Sequence, residues 1–161
     1  MEHFNYRPIG IIHTPHKTVK GTPIQSTGAK GVEGIIEVYP EYTDGLNDLA
    51  GFSYIYLLYH CHLSKKYSLT VKPFLDDQER GLFATRAPSR PNPIGLSVVR
   101  LLGIKAGNLR VQDIDIVDGT PLLDIKPYVP EFDVREAAKI GWLGKNTDKA
   151  EYIVDDGRFS T

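Results

Sequence analysis

Short apolar runs recur along the chain, each cut off by proline, glycine or a polar cluster. Tyr6–His13 (YRPIGIIH) reads as a first strand, with Pro8 near its start, where a missing N–H is tolerated. Gly34–Val38 (GIIEV) reads as a second, ended by Pro40. Phe52–His62 (FSYIYLLYHCH) is apolar on both faces, as a central strand is. Gly81–Thr85 and Ile94–Ile104 read as strands flanking a proline-rich connection, and Lys65–Gly81 as a polar loop or edge hairpin. Leu109–Val117 alternates but slips in phase: Leu109 and Val111 share one parity, Ile114 and Ile116 the other. A β-bulge near Gln112-Asp113 would absorb the slip. Asp118-Gly119 signals a turn before a last strand, Leu122–Tyr128. Only Asp133–Ile140 reads as helix, with Asp133 as N-cap and Gly141 just past its end.

Six or seven short strands with no strand–long-helix–strand alternation predict a mainly β chain, an antiparallel barrel or sandwich with a few short helices. At 161 residues one domain is expected, with a barrel domain over residues 1–145 and a short polar tail over 146–161. The polar stretch His13–Gly34 is long for a compact domain, and loops of that length are more often functional than idle. Its GAKGVEG has the wrong spacing for a dinucleotide fingerprint, and no helix follows it.

Net charge is −1, but residues 61–110 carry +6 and the remainder −7. A basic zone of that kind marks either a phosphate-backbone footprint or a solvated face. No apolar run approaches the ~20 residues of a membrane span, and the N-terminus lacks a charged-then-apolar signal. The single cysteine, Cys61, excludes an internal disulfide and fits a reducing cytosol, so a cytoplasmic protein off the membrane is expected.

The densest candidate chemistry lies in Gly81–Ser97, GLFATRAPSRPNPIGLS. Pro88, Pro91 and Pro93 stiffen the segment, which should present Arg86 and Arg90 in a defined direction. Guanidinium groups bind carboxylate or phosphate bidentately, so the loop suits an anionic ligand or nucleic acid, or else simply links two strands. Ile114–Tyr128 places Asp115, Asp118 and Asp124 within ten residues, around the tight corner Asp118-Gly119-Thr120-Pro121. In a strand of period two, Tyr54, Tyr56, Leu58, His60 and His62 share one face and Cys61 the other. His60, Cys61 and His62 therefore cannot converge on a metal, and no metal site is expected.

These motifs together resemble the TsaA-like family of S-adenosylmethionine-dependent tRNA methyltransferases acting on N6 of N6-threonylcarbamoyladenosine. The resemblance rests on Pro8–Lys17 (PIGIIHTPHK), Gly81–Ser97 and Ile116–Pro130 (IVDGTPLLDIKPYVP), and runs over roughly residues 4–130. It implies a β-barrel methyltransferase, unlike the Rossmann-type ones, acting as a homodimer on tRNA. By the same resemblance, cofactor contacts come from Gln25, Ser26 and Thr27, from His62 and Leu63, from Arg86, from Leu96, and from Asp115, Ile116, Val117, Asp118, Gly119 and Thr120. Arg86 would pair with the cofactor's carboxylate or steer RNA phosphate. Leu63 departs from the polar residue relatives often carry there. Longer members continue into a further C-terminal region, so this chain is expected to engage tRNA with its barrel alone.

In-line transfer of a methyl group to a urea-like nitrogen calls for a base, with Asp118, His62 and Asp115 as candidates in that order. Arg90, with Lys65, Lys66 and Lys72 as a phosphate fringe, is the candidate for substrate. The rival readings are a methyltransferase acting on another RNA base or a small molecule, a non-catalytic barrel binding RNA or a nucleotide, and a PxxP ligand at Pro88–Pro91.

Overall fold

The computed structural model describes residues 1–160; Thr161, the end of the expected polar tail, lies outside the described residues. Eight strands follow in chain order: β1 (Gly10–His13), β2 (Glu33–Val38), β3 (Tyr54–His60), β4 (Thr70–Val71), β5 (Arg80–Gly81), β6 (Ile94–Lys105), β7 (Asn108–Gln112) and β8 (Thr120–Pro127). Six of them close into a barrel in the order β1-β2-β7-β6-β3-β8, with β8 pairing back to β1. Every neighbouring pair is antiparallel. The expected mainly β barrel is the fold.

Period-two alternation fills the interior. Ile12, Ile36, Val38, Ile55, Leu57, Val99, Leu109, Val111 and Leu122 form one continuous core. Each fully buried aliphatic side chain contributes roughly 1.5–3 kcal/mol relative to exposure. Two register shifts, between Leu58 and Tyr59 and between Leu101 and Gly103, bend the sheet toward closure.

Several sequence expectations are corrected. No bulge lies at Gln112-Asp113. There β7 ends, and Asp113 adopts the left-handed conformation (φ 67°). The Gly31 amide donates to its Oδ1 at 2.7 Å, and its own amide donates to the Val32 carbonyl at 2.8 Å. The chain leaves the sheet at that point yet keeps Ile114 and Ile116 buried, which is the physical source of the phase slip. Gly81–Thr85 is not a continuous strand: β5 stops at Gly81, and Leu82–Ala84 tightens into a 3₁₀ turn that buries Leu82. β4 and β5 form a separate two-stranded ribbon, the edge-hairpin form of Lys65–Gly81.

The expected helix Asp133–Ile140 is absent as well. One short helix, α1, spans Pro130–Asp133. Residues 134–140 stay exposed and non-helical, so no buried face offsets the cost of nucleating a helix there. Beyond them the chain turns back across the barrel end through 3₁₀ turns at Gly141–Lys145 and Thr147–Glu151, and an isolated bridge pairs Pro23 with Val154. Among the described residues no helix is long and apolar enough to cross a membrane.

Candidate active site at the barrel mouth

The site is built where β3 ends and β6 begins. Register sets Tyr59 opposite Gly95, with Leu57 opposite Ser97. Tyr59 follows the inward parity of Ile55 and Leu57, and its ring lies across Gly95. A Cβ at Gly95 would sit 2.1 Å from that ring, so only glycine leaves room for it. The ring thereby brings its hydroxyl to 3.0 Å from Ser97 Oγ. Ser97 Oγ donates to Asp115 Oδ1 at 2.7 Å, so its one proton is committed and the Tyr59 hydroxyl donates to Ser97. A directional chain runs Tyr59 → Ser97 → Asp115.

Asp115 stands between two buried residues of the chain, Ile114 and Ile116. The backbone around it is clamped too: Thr14 Oγ1 donates to the Ile116 carbonyl at 2.7 Å, and His16 Nε2 lies 3.0 Å from the Ile114 carbonyl. Burial raises the Asp115 carboxyl above its ordinary range, against the lowering effects of the Ser97 hydrogen bond and of His16 and Arg86 nearby. Burial first, and then the Asp115 charge, raise the Tyr59 phenol, which stays protonated and acts as a donor. Cys61 is pushed up to about 11, chiefly by burial, so its thiol is not a ready nucleophile.

Tyr59, Cys61 and Asp115 open onto a cavity of about 830 Å³ at the barrel mouth. Gln25 and Arg86 close one side of it, with Arg86 Nη1 donating to Gln25 Oε1 at 3.0 Å across 61 residues of sequence. His62 and Leu63 form a second wall, and Leu96 stands on the rim. Asp115, Ile116, Val117 and Thr120 line the floor. Of the expected cofactor residues, Ser26, Thr27, Asp118 and Gly119 do not line the cavity; they flank those that do.

Asp118 faces elsewhere. Its Oδ1 accepts from the Thr14 amide at 2.9 Å and its Oδ2 from Lys17 Nζ at 2.8 Å. The Lys17 hydrogen bond, followed by that of the Thr14 amide, holds this carboxyl below the usual range. The geometry gives Asp118 the task of pinning the Thr14–Lys17 loop beside the site. His62 is half-buried at the cavity wall, where burial and then His60 lower its pKa and favour the neutral ring. Lys65 and Lys66 stand exposed on the loop after His62, outside the cavity lining.

The proline segment presents one guanidinium where two were expected. Arg90 folds inward, its Nη1 donating to the carbonyls of Thr85 (3.0 Å), Ala87 (3.2 Å) and Leu82 (3.4 Å). Its guanidinium also lies over the Phe83 ring, 5.6 Å from the centroid. Arg90 therefore holds the loop's shape from within while bordering the cavity; Arg86 is the exposed one.

Sequence reasoning missed three contributors. Tyr59 carries a signal, since it shares the parity of Ile55 and Leu57. Ser97 sits at the end of the proline motif, but nothing in its spacing marks it as the partner of Asp115. The C-terminal segment gave no signal at all. Asp155 exchanges backbone hydrogen bonds with Gly21 (2.6 Å) and Thr22 (2.7 Å), and Trp142 Nε1 donates to the Ala84 carbonyl at 2.8 Å. Ser89 Oγ donates to the Phe159 carbonyl at 2.6 Å, and the Phe159 and Phe74 rings meet edge-on at 5.1 Å. Trp142, Leu143, Asp155 and Phe159 thereby become part of the cavity wall. Among the described residues no group of three or more His, Cys, Asp or Glu is placed to hold a metal ion.

A closed six-stranded antiparallel barrel with a cavity of mixed polar and apolar lining at one mouth has the form of a small-molecule-binding barrel, not a dinucleotide fold. The family described as the tRNA-methyltransferase O N-terminal domain matches residues 11–134, and the chain belongs to that family. A probable S-adenosyl-L-methionine-binding protein of Pyrococcus abyssi is 60% identical over 154 residues, 96% of this chain and 84% of its own length. The tRNA (adenine(37)-N6)-methyltransferase of Escherichia coli is 34% identical over 140 residues, 81% of this chain and 60% of its own. A crystal structure of TrmO from Pseudomonas aeruginosa superposes with a TM-score of 0.74 at 37% identity, covering 88% of this chain and 62% of that one. The chain thus spans about three-fifths of the length of the latter two proteins.

Proposed function

We propose that this protein is an S-adenosylmethionine-dependent methyltransferase of tRNA, acting on N6 of N6-threonylcarbamoyladenosine beside the anticodon. One observation carries the reading: segments distant in sequence converge on a cavity whose donor set suits this cofactor. Arg86 offers a guanidinium for a carboxylate, and Gln25, bonded to it, fixes its direction. Leu63, Leu96 and Ile116 offer apolar surface for a purine face, and Asp115 places a hydrogen-bond acceptor on the cavity wall. The volume of about 830 Å³ is in the range of cofactor sites. The residues fit.

When bound, S-adenosylmethionine supplies an electrophilic sulfonium methyl. The chain's own work is to bind, orient and exclude water. The C-terminal segment covers the cavity from Thr22 to Ala84, while Arg90 keeps the proline loop in the shape that aims Arg86. Lys65, Lys66 and Lys72 lie outside the cavity on the basic middle of the chain, where they serve as a phosphate fringe for tRNA. Arg90, turned inward, serves substrate binding by holding its loop. The domain division belongs to the same reading, with the barrel as one unit and the polar end as its cover. So do a cytoplasmic location, where tRNA is met, and a homodimer. Phe83, Ile94 and Leu96 stand 74%, 43% and 62% exposed, an apolar patch on the cavity's flank that a second copy would cover.

The test uses methyl-labelled S-adenosylmethionine and tRNA with and without the threonylcarbamoyl group, followed by nucleoside mass spectrometry. It is run on a size-exclusion peak of known light-scattering mass. Label on threonylcarbamoyladenosine alone, from a peak weighing two chains, is the expected result. Label on another base would replace the substrate, and full activity from a one-chain peak would remove the dimer.

A further inference from the structure

Two acids of the dense segment Asp115–Asp124 lie beside the site, and the structure separates their roles. Asp118 has both oxygens engaged, by Thr14 and Lys17, outside the cavity. Asp115 has one oxygen fixed by Ser97, and its Oδ2 accepts no side-chain hydrogen bond among the described residues. Asp115 itself lines the cavity, so the oxygen that Ser97 does not hold is the one available to a group bound there. Behind it, the Tyr59–Ser97 pair donates in one direction only, toward the carboxylate. Such a chain holds a carboxylate still and favours its charged form without offering it a proton.

We propose that Asp115 is the proton acceptor of the transfer reaction, with Ser97 and Tyr59 as the positioning residues that aim its free oxygen. The inference rests on the methyltransferase reading above. In the step, the new bond forms between N6 and the methyl carbon as the carbon–sulfur bond breaks, its electron pair passing to sulfur. The proton of N6 goes to Asp115 Oδ2. Balance is complete: a neutral methylated base, a neutral thioether and a protonated carboxyl remain, the last returning its proton to solvent when the cavity opens.

A carboxyl raised by burial is a better match to a weakly acidic N–H than an exposed one, since proton acceptance improves as the pKa nears the working pH. Besides burial, Ser97 on β6, His16 in the Thr14–Lys17 loop and Arg86 in the proline loop act on the Asp115 carboxyl, while Tyr59 at the end of β3 and Cys61 just past it face it and are themselves raised by its charge. Ser97 favours the charged form, so its removal must raise the Asp115 pKa. The acid limb of the rate profile should then move to higher pH.

The experiment is single-turnover methyl transfer at saturating cofactor across pH, for the wild type, Asp115→Asn, Ser97→Ala, Tyr59→Phe and His62→Gln. Asp115→Asn should lose about 100-fold or more in rate and lose the acid limb. Ser97→Ala, which keeps the carboxylate, should shift the limb upward, and Tyr59→Phe should shift it less in the same direction. Superimposable limbs for the wild type and Ser97→Ala would overturn the assignment even if Asp115→Asn fails to fold. A limb that moves with His62→Gln but not with Ser97→Ala would give the proton to His62 and likewise overturn it. A wild type that binds S-adenosylmethionine but methylates no tRNA overturns the functional reading and this inference together. A wild type that transfers methyl normally while Ser97→Ala leaves the limb in place overturns this inference alone.

Discussion

Gly95 and Tyr59 show how much of the site hangs on single atoms. The ring of Tyr59 occupies the space a side chain at position 95 would need, and this lets its hydroxyl reach Ser97. Gly95→Ala should therefore cost about 1–3 kcal/mol by overpacking, since backbone or ring must shift by more than an ångström. It should also weaken cofactor binding by displacing the Tyr59–Ser97–Asp115 chain. Urea unfolding and a cofactor titration on the same variant check both effects, and wild-type values in each would remove the ring from the site's architecture. At this scale the sequence was legible where chemistry is carried by residue type and blind where it is carried by direction. Arg86 and Arg90 are equivalent by spacing, yet one reaches Gln25 at the cavity wall and the other is spent on three carbonyls of its own loop. Asp115 and Asp118 differ just as sharply, because Lys17 and the Thr14 amide claim one of them from a strand pair the local sequence does not reveal.

Among the elements, the barrel strands could be read from alternation because each has one face in a continuous core, as the buried Gly34, Ile36 and Val38 of β2 show. The errors fall where alternation stops deciding. Asp113 redirects the chain by its left-handed backbone, and residues 134–140 bury nothing that would hold them in a helix. The C-terminal segment was unreadable for the same reason: its order comes from backbone hydrogen bonds to Gly21 and Thr22 and from Phe159 on Phe74, all long-range. Because these contacts lie outside the barrel ladder, ending the chain after Ile140 should leave the barrel folded. Far-UV circular dichroism should then change little, while cofactor affinity falls by about tenfold or more with Trp142, Leu143 and Phe159 gone from the wall. Unchanged affinity would make the segment a passive neighbour of the cavity.

At the level of the whole molecule, closure of the barrel joins the first strand to the last, β1 to β8, and so brings Thr14 and His16 against Ile114–Asp118 from a hundred residues away. That closure, more than any one motif, assembles the floor of the site. The central claim is that this mouth is where S-adenosylmethionine binds. Isothermal titration with S-adenosylmethionine, comparing the wild type with Arg86→Ala and with Lys66→Ala, tests it most directly. Saturable binding by the wild type, a loss of about tenfold or more in Arg86→Ala, and near-wild-type affinity in Lys66→Ala are the expected results, since an exposed lysine outside the cavity makes no contact with the cofactor. Absence of binding by the wild type, or identical affinities for the wild type and Arg86→Ala, would contradict the account.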